Sequence, residues 1–438
     1  MDKKIEGKKS IKGTIEVPGD KSMSHRAVIL GSIAQGTSTV SGLARSRDVQ
    51  STIQAMQKAG ISIYEKYGKA VIEGKGITGF EKRKKAAPLE IDCGNSGTTA
   101  RLLIGLFSGA GFPARFIGDA SLMKRPMDRV VDPISKIGVQ ITSNKGYLPI
   151  EIWGGAPAPF DYTIPVASAQ LKTACLFAAL FIGGSSVVNE IRETRDHTER
   201  MLVLMDADIK TRNTLQGKSI IISGRRELAP LDITIPRDIS SAVFFIAAAL
   251  VCPSSEILLK NVLLNPTRAH ILEVFKRMGG NIEVELIDEL PELHGNVRVR
   301  SSSLKGTVVG GVEIPLLIDE IPALAAAACF AKGETAVRGA QELRVKESDR
   351  ISGIVDMVRG FGSKIKELDD GFVITGKTKP DKGRSVPAKF KSFGDHRLAM
   401  AASILALNVR GTSMIHDAEC VDVSFPGYFD ELEKHTAE

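Results

Sequence analysis

Aromatic residues are scarce: they make up 5% of the 438 residues, with a single tryptophan. Proteins that bind single strands of nucleic acid by stacking bases need more such platforms, so that mode is not expected. Cysteine is sparse too. Cys93, Cys175, Cys252, Cys329 and Cys420 lie far apart, and none falls in a CxxC or other ligand-like spacing. This odd, scattered set argues against a zinc site and for a reducing compartment. Long apolar runs are missing; a run such as Ala242 to Cys252 is too short to cross a bilayer. Met1 to Lys12 is charged and lacks the apolar stretch of a secretory signal. The expected setting is cytoplasmic, with no membrane partner.

What is present is ordinary for a water-facing globular chain: 43% apolar and 25% charged residues, at a length that suits two or three domains. The net charge is +7. Its basic residues are dispersed, except for Lys82, Arg83, Lys84 and Lys85, a run that reads as a solvated loop. Such a balance suits an enzyme acting on small polyanions. Without a dense basic stripe, a nucleic-acid partner is not expected.

The chain repeats itself. A polar cluster recurs before an apolar, often Ala-rich helix at Ser22, Ser96, Ser168, Ser240, Asp319 and Asp395, with spacings of 74, 72, 72, 79 and 76 residues. Each unit has the same grammar. A short alternating strand such as Leu231 to Ile235 comes first, then a Ser or Asp offering a helix N-cap, then a helix apolar on every side. Examples are Ser241 to Val251 and Ala323 to Ala331. An amphipathic helix follows: Ile271, Val274, Phe275 and Met278, or Ile351, Ile354, Val355 and Val358, with Gly279 and Gly362 placed to stop it. Six such units predict an α/β protein with internal pseudo-symmetry, three units per domain.

The junctions hold the chemistry. Helix starts expose free N–H groups and the positive end of the dipole, which bind anions, and here they also carry cations. Lys21 and Arg26 stand with Ser22 and Ser24; Gly94 and Gly97 open a second junction that ends in Arg101; Arg125-Pro126 fixes an extended step before a helix. Later clusters are Ser168-Ala169-Gln170, Arg195-Asp196, Asp319-Glu320, Arg344 to Arg350 and Asp395-His396-Arg397. On a helix, Lys346 and Arg350 would share a face, with Glu347 beside them. His25 and His396 fit helix-start residues bonded to backbone. Taken singly, these residues suit plain caps or surface ion pairs. Their recurrence at equivalent places points to a site.

These junctions closely resemble those of the enolpyruvylshikimate-phosphate synthases. The matching segments are Gly19 to Arg26, Gly94 to Thr98 with Arg101, Gly118 to Met127, Ser168 to Gln170, Thr194 to Thr198, Asp319-Glu320, Leu343 to Arg350 and Asp395 to Arg397. The resemblance implies a two-domain inside-out α/β barrel of six βαβαββ units. The domains would be residues 21–237 and residues 1–20 plus 238–438, with the active site in the interdomain cleft. It implies transfer of the enolpyruvyl group of phosphoenolpyruvate to shikimate 3-phosphate by addition and elimination. Shikimate 3-phosphate would meet Lys21, Ser22, Arg26, Ser168, Ala169 (through its backbone), Gln170, Arg195, Asp319 and Lys346. Phosphoenolpyruvate would meet Lys21, Gly97, Arg125, Gln170, Arg350 and Arg397. Asp319 would be the base, Glu347 the acid, and Lys21 a stabiliser of charge or proton relay. No cofactor and no metal is implied, and a monomer is expected.

The chain departs from some members at Leu102, where they have Pro, and at Val423, where they have Lys. It is thereby nearer the second class of the family. Gly97 leaves room for the herbicide glyphosate, which implies sensitivity to it. The nearest rival, a transferase acting on UDP-N-acetylglucosamine, normally carries a reactive Cys before an Arg-Pro step. Ala120 to Met127 has none.

Overall fold

The computed structural model describes residues 1–7, 10–81, 87–376 and 387–437. The basic run Lys82 to Lys85 therefore lies outside the described residues. Among the described residues, six apolar helices follow the six junctions. They are Lys21–Ile33 (α1), Gly97–Gly109 (α2), Ala169–Ala179 (α3), Ile239–Val251 (α4), Ile321–Ala328 (α5) and His396–Leu407 (α6). With no polar face, such helices gain stability only when enclosed. Every residue from Ile239 to Leu250 in α4, and all of α6, is buried.

Strands flank each helix. In four units the strand before the helix pairs in parallel with the strand after it: Leu89–Asp92 with Ala114–Ile117, Asp161–Ile164 with Ser185–Glu190, Val308–Val309 with Gly333–Val337, and Lys389–Lys391 with Thr412–His416. Parallel pairing needs such a crossover. The first and fourth units exchange strands. Ser10–Ile15, ahead of α1, pairs with Glu256–Leu263 after α4, while Asp232–Thr234, ahead of α4, pairs with Gln35–Ser41 after α1.

The chain forms two compact units, Gly19–Ile235 and Met1–Pro18 plus Pro236–Glu438. The strand exchange explains why the second is built from both ends of the chain. The first holds three four-stranded sheets; the second holds sheets of five, four and three strands. The predicted α/β class with six related units is what the chain adopts. The amphipathic helices are His270–Arg277 and Arg350–Gly360, each followed by a glycine with positive φ, Gly279 at +93° and Gly362 at +79°. No helix among the described residues is long and apolar enough to cross a membrane.

The caps differ from expectation in three units. Ser96, Ser168 and Asp395 cap α2, α3 and α6 as read. In α1 the cap is Asp20, which accepts from the Met23 N–H at 2.7 Å, and in α4 it is Asp238, which accepts from the Ser240 N–H at 2.8 Å. A short carboxylate there serves as well as serine, so Ser22 and Ser240 sit inside the first turn. Asp319 precedes the start of α5 and does not cap it; Glu320 occupies that position.

Helices α2 and α3 touch backbone to backbone. A Cβ added at Gly105 would lie 2.2 Å from the Ala174 carbonyl oxygen, and one at Gly109 would lie 2.4 Å from that of Ala178. Alanine at Gly105 would gain about 1 kcal/mol of helix propensity. Forcing the two helices apart should cost more, so Gly105→Ala is expected to lower stability by a net ~1–3 kcal/mol. Urea denaturation checks this; a raised midpoint would contradict the close packing.

Candidate active site

In the unit Gly19–Ile235, helix starts and loops from three repeats bring their polar residues together. The Lys21 ammonium meets the Asp48 carboxylate at 2.9 Å. Arg26 is buried one turn into α1 and donates to the Ser22 carbonyl at 2.9 Å, to Thr198 Oγ1 at 2.8 Å and to Thr173 Oγ1 at 2.8 Å. Because Asp20 takes the capping role, the Ser22 hydroxyl is left to accept from Arg195, at 3.4 Å. A second group surrounds the start of α2. Gln170 accepts from Arg101 at 2.9 Å and donates to Thr98 Oγ1 at 2.9 Å. Arg125 donates to Asn95 Oδ1 at 2.7 Å and to Ser121 Oγ at 3.3 Å. Gly97 lies against both arginines: a Cβ there would stand 2.7 Å from Arg101 Nη1 and 3.6 Å from Arg125 Nη1.

His25 is placed otherwise than expected. Its Nδ1 bonds the Thr52 hydroxyl at 2.7 Å rather than backbone, and Thr52 continues to Thr99 at 2.7 Å. Burial, helped by Lys21 and Arg26, holds its pKa well below the ordinary histidine range, so the ring is neutral at pH 7.

The unit Met1–Pro18 plus Pro236–Glu438 carries its own cluster, centred on Arg350. The Arg350 side chain is 1% exposed and faces three carboxylates: Asp395 at 2.7 Å, Glu347 at 2.5 Å and Asp319 at 3.4 Å. Burial alone would lower its pKa, but these three anions more than offset that and raise it. Arg397 donates to the Asp319 carbonyl at 2.9 Å and lies 3.6 Å from its carboxylate. Lys346 is half-buried beside them; burial lowers its pKa, against the pull of Asp319. Lys346 and Glu347 do not share a helix with Arg350. They lie in the turn between a short 3-10 segment, Gln341–Val345, and the helix that begins at Arg350. Asp349 caps that helix, so the residues ahead of it, Lys346 and Glu347 among them, lie outside the helix.

These are arrays of fixed cations and hydroxyls with carboxylates near them. They suit ligands bearing phosphate and carboxylate groups, which guanidinium forks match in two-point contacts. A family model described as EPSP synthase (3-phosphoshikimate 1-carboxyvinyltransferase) matches residues 5–432. The chain belongs to the EPSP synthase family. A protein of that enzyme name from Caldicellulosiruptor saccharolyticus is 44% identical over 443 aligned positions, covering 100% of this chain and 99% of the relative. Among solved structures, EPSP synthase from Acinetobacter baumannii superposes with a TM-score of 0.86 at 38% identity, covering 99% of this chain and 98% of that one. The enolpyruvyl transferase NikO from Streptomyces tendae shares the fold alone, with a TM-score of 0.76 at 16% identity over 99% of this chain and 96% of that one.

Several residues of this family member's clusters were assigned no role from sequence. Asp48, the partner of Lys21, lies in a different helix, Arg47–Lys58, and no local motif marks it. Thr98, Asn95 and Arg101 stood in a recognised segment without a role. Thr198, which holds Arg26, likewise stood in a recognised segment without a role, and Thr173, its other support, is an ordinary helix residue until the repeats are brought together.

Removing one member of a buried ion-pair set leaves the others desolvated and unpaired, which costs about 3–5 kcal/mol. Arg350→Met is expected to lose that much stability, read as a fall in the urea midpoint at neutral pH. An unchanged midpoint would show that Arg350 is not holding Asp319, Glu347 and Asp395 together.

Proposed function

We propose that this protein transfers the enolpyruvyl group of phosphoenolpyruvate to the 5-hydroxyl of shikimate 3-phosphate, releasing inorganic phosphate, in the shikimate pathway of aromatic amino-acid biosynthesis. The observation that carries this is family membership along nearly the whole chain, with Lys21, Asp319 and Glu347 all present. The alternative acceptor, UDP-N-acetylglucosamine, is not favoured.

In this reading the two polar clusters serve one reaction. Lys21, Ser22, Arg26, Ser168, Ala169, Gln170, Arg195, Asp319 and Lys346 bind shikimate 3-phosphate. Lys21, Gly97, Arg125, Gln170, Arg350 and Arg397 bind phosphoenolpyruvate. Asp319 takes the proton of the attacking hydroxyl as its oxygen bonds to C2 of phosphoenolpyruvate. Glu347 protonates the methylene carbon, giving a tetrahedral intermediate. The C–O bond to phosphate then breaks, the departing phosphate takes up the proton that Asp319 had accepted, and the methyl group returns a proton to Glu347 to form the enol ether. Lys21 balances charge between the two groups. Its contact with Asp48 holds the ammonium at the start of α1. The enzyme works in the cytoplasm as a monomer.

Phosphate release, measured with shikimate 3-phosphate, UDP-N-acetylglucosamine or RNA as acceptor, tests the reading. Turnover is expected with the first alone; turnover with either of the others and none with the first would overturn it. Asp319→Asn and Glu347→Gln should each lower kcat by about 10²–10⁴-fold, with smaller effects on either KM.

Gly97 makes a second prediction. A methyl there must displace the Arg101 guanidinium, at a cost of ~1–3 kcal/mol. Gly97→Ala should weaken glyphosate more than phosphoenolpyruvate. Inhibition constants show this, and equal weakening of both ligands would contradict it.

A further inference from the structure

One buried cation in the unit Gly19–Ile235 has no place in the reaction above. Lys172 lies in α3, two residues beyond Gln170, and its side chain is 0% exposed. Its ammonium meets Glu190 at 2.9 Å and Glu199 at 2.7 Å, both carboxylates themselves buried. Glu190 ends the strand Ser185–Glu190, and Glu199 lies in the helix His197–Leu204. Between them runs the loop that carries Arg195. The Thr194 hydroxyl also donates to Glu190, so the residue next to Arg195 is tied to the same charge set.

A second buried cation reaches the same helix. Arg26, in α1, bonds Thr198, and Lys172, in α3, pairs with the adjacent Glu199. The Thr173 hydroxyl lies 2.7 Å from that of Thr198, closing the link between α3 and that helix. A single ammonium thus pins both ends of the segment from Glu190 to Glu199 to the helix that presents Ser168, Ala169 and Gln170.

We infer that Lys172 is a positioning residue for shikimate 3-phosphate: through Glu190 and Glu199 it sets Arg195 against the start of α3, without touching the substrate. Without its charge, two buried carboxylates would face each other unpaired, and the loop would move to relieve them. Burial favours that relief, since it already raises the Glu190 pKa against the pull of Lys172. Arg195 would then lose its register with Ser22, whose hydroxyl it reaches.

This inference rests on the proposed function, and the test separates the two. Calorimetric titration of the full chain with shikimate 3-phosphate is combined with steady-state phosphate release, for the unmodified protein and for Lys172→Met. The variant should bind shikimate 3-phosphate about ten- to a hundredfold more weakly, as for loss of one charged hydrogen bond, while its KM for phosphoenolpyruvate changes far less. Equal loss for both substrates, or unchanged affinity for shikimate 3-phosphate in the folded variant, would overturn the positioning role. Failure of the unmodified protein to bind shikimate 3-phosphate would instead overturn the functional reading beneath it. If Lys172→Met does not fold, Glu190→Gln is read by the same two constants. It keeps the side-chain volume but removes one charge of the set, and the same selective loss is expected.

Discussion

A cation taken out of water has to be answered by oxygen atoms close at hand, and that requirement shapes the interior of both units. Arg26, Lys172, Arg268 and Arg350 are nearly or wholly buried, and each is bonded to more than one segment of the chain. Arg268, for instance, donates to Asp238 at 3.1 Å and to the Ser240 hydroxyl at 2.9 Å, joining the loop after a strand to the start of α4. The apolar helices supply the driving force for burial, and the cations decide how the polar helix starts are arranged around them. The polar helix starts thus carry charges already held in place by the chain's own carboxylates and hydroxyls.

The repeat was legible because its signal is long. Six polar junctions at near-constant spacing, each ahead of a helix with no polar face, leave little choice but buried helices crossing between parallel strands. The exchange of strands between the first and fourth units was not legible. Ser10–Ile15 and Asp232–Thr234 are too short and too plain in pattern to name their partners, and their pairing is decided by packing across most of the chain's length. The caps at Asp20 and Asp238 were missed for a local reason. Each junction offers more than one side chain able to cap, and spacing alone does not say which one reaches the free N–H.

The charged residues of the candidate site were legible in the sequence, and most of their partners were not. Lys21, Arg26, Arg125, Asp319, Glu347, Arg350 and Arg397 stand in recognisable segments. Asp48 and Thr52 come from the helix Arg47–Lys58, and nothing in their own neighbourhood sets them apart, while Thr173 and Thr198 stand in or just after recognised segments but carried no role of their own. Lys346 and Glu347 were read as helical because their spacing to Arg350 fits a helix face. Asp349 overrides that pattern by capping the next helix. The result is a turn in which Glu347 still reaches Arg350, so the pairing survived although the reason given for it did not.

Preorganised cations should be worth most to a ligand that brings its own negative charge. Differential scanning of the unfolding midpoint with shikimate 3-phosphate, set against shikimate without the phosphate, measures this most directly. A ligand at a hundred times its Kd stabilises the folded chain by about 2.7 kcal/mol. Shikimate 3-phosphate is expected to raise the midpoint in a saturable way, and shikimate at the same concentration to raise it far less. Equal shifts from the two compounds, or no shift from the phosphorylated one, would contradict the claim that these helix starts are built to hold an anion.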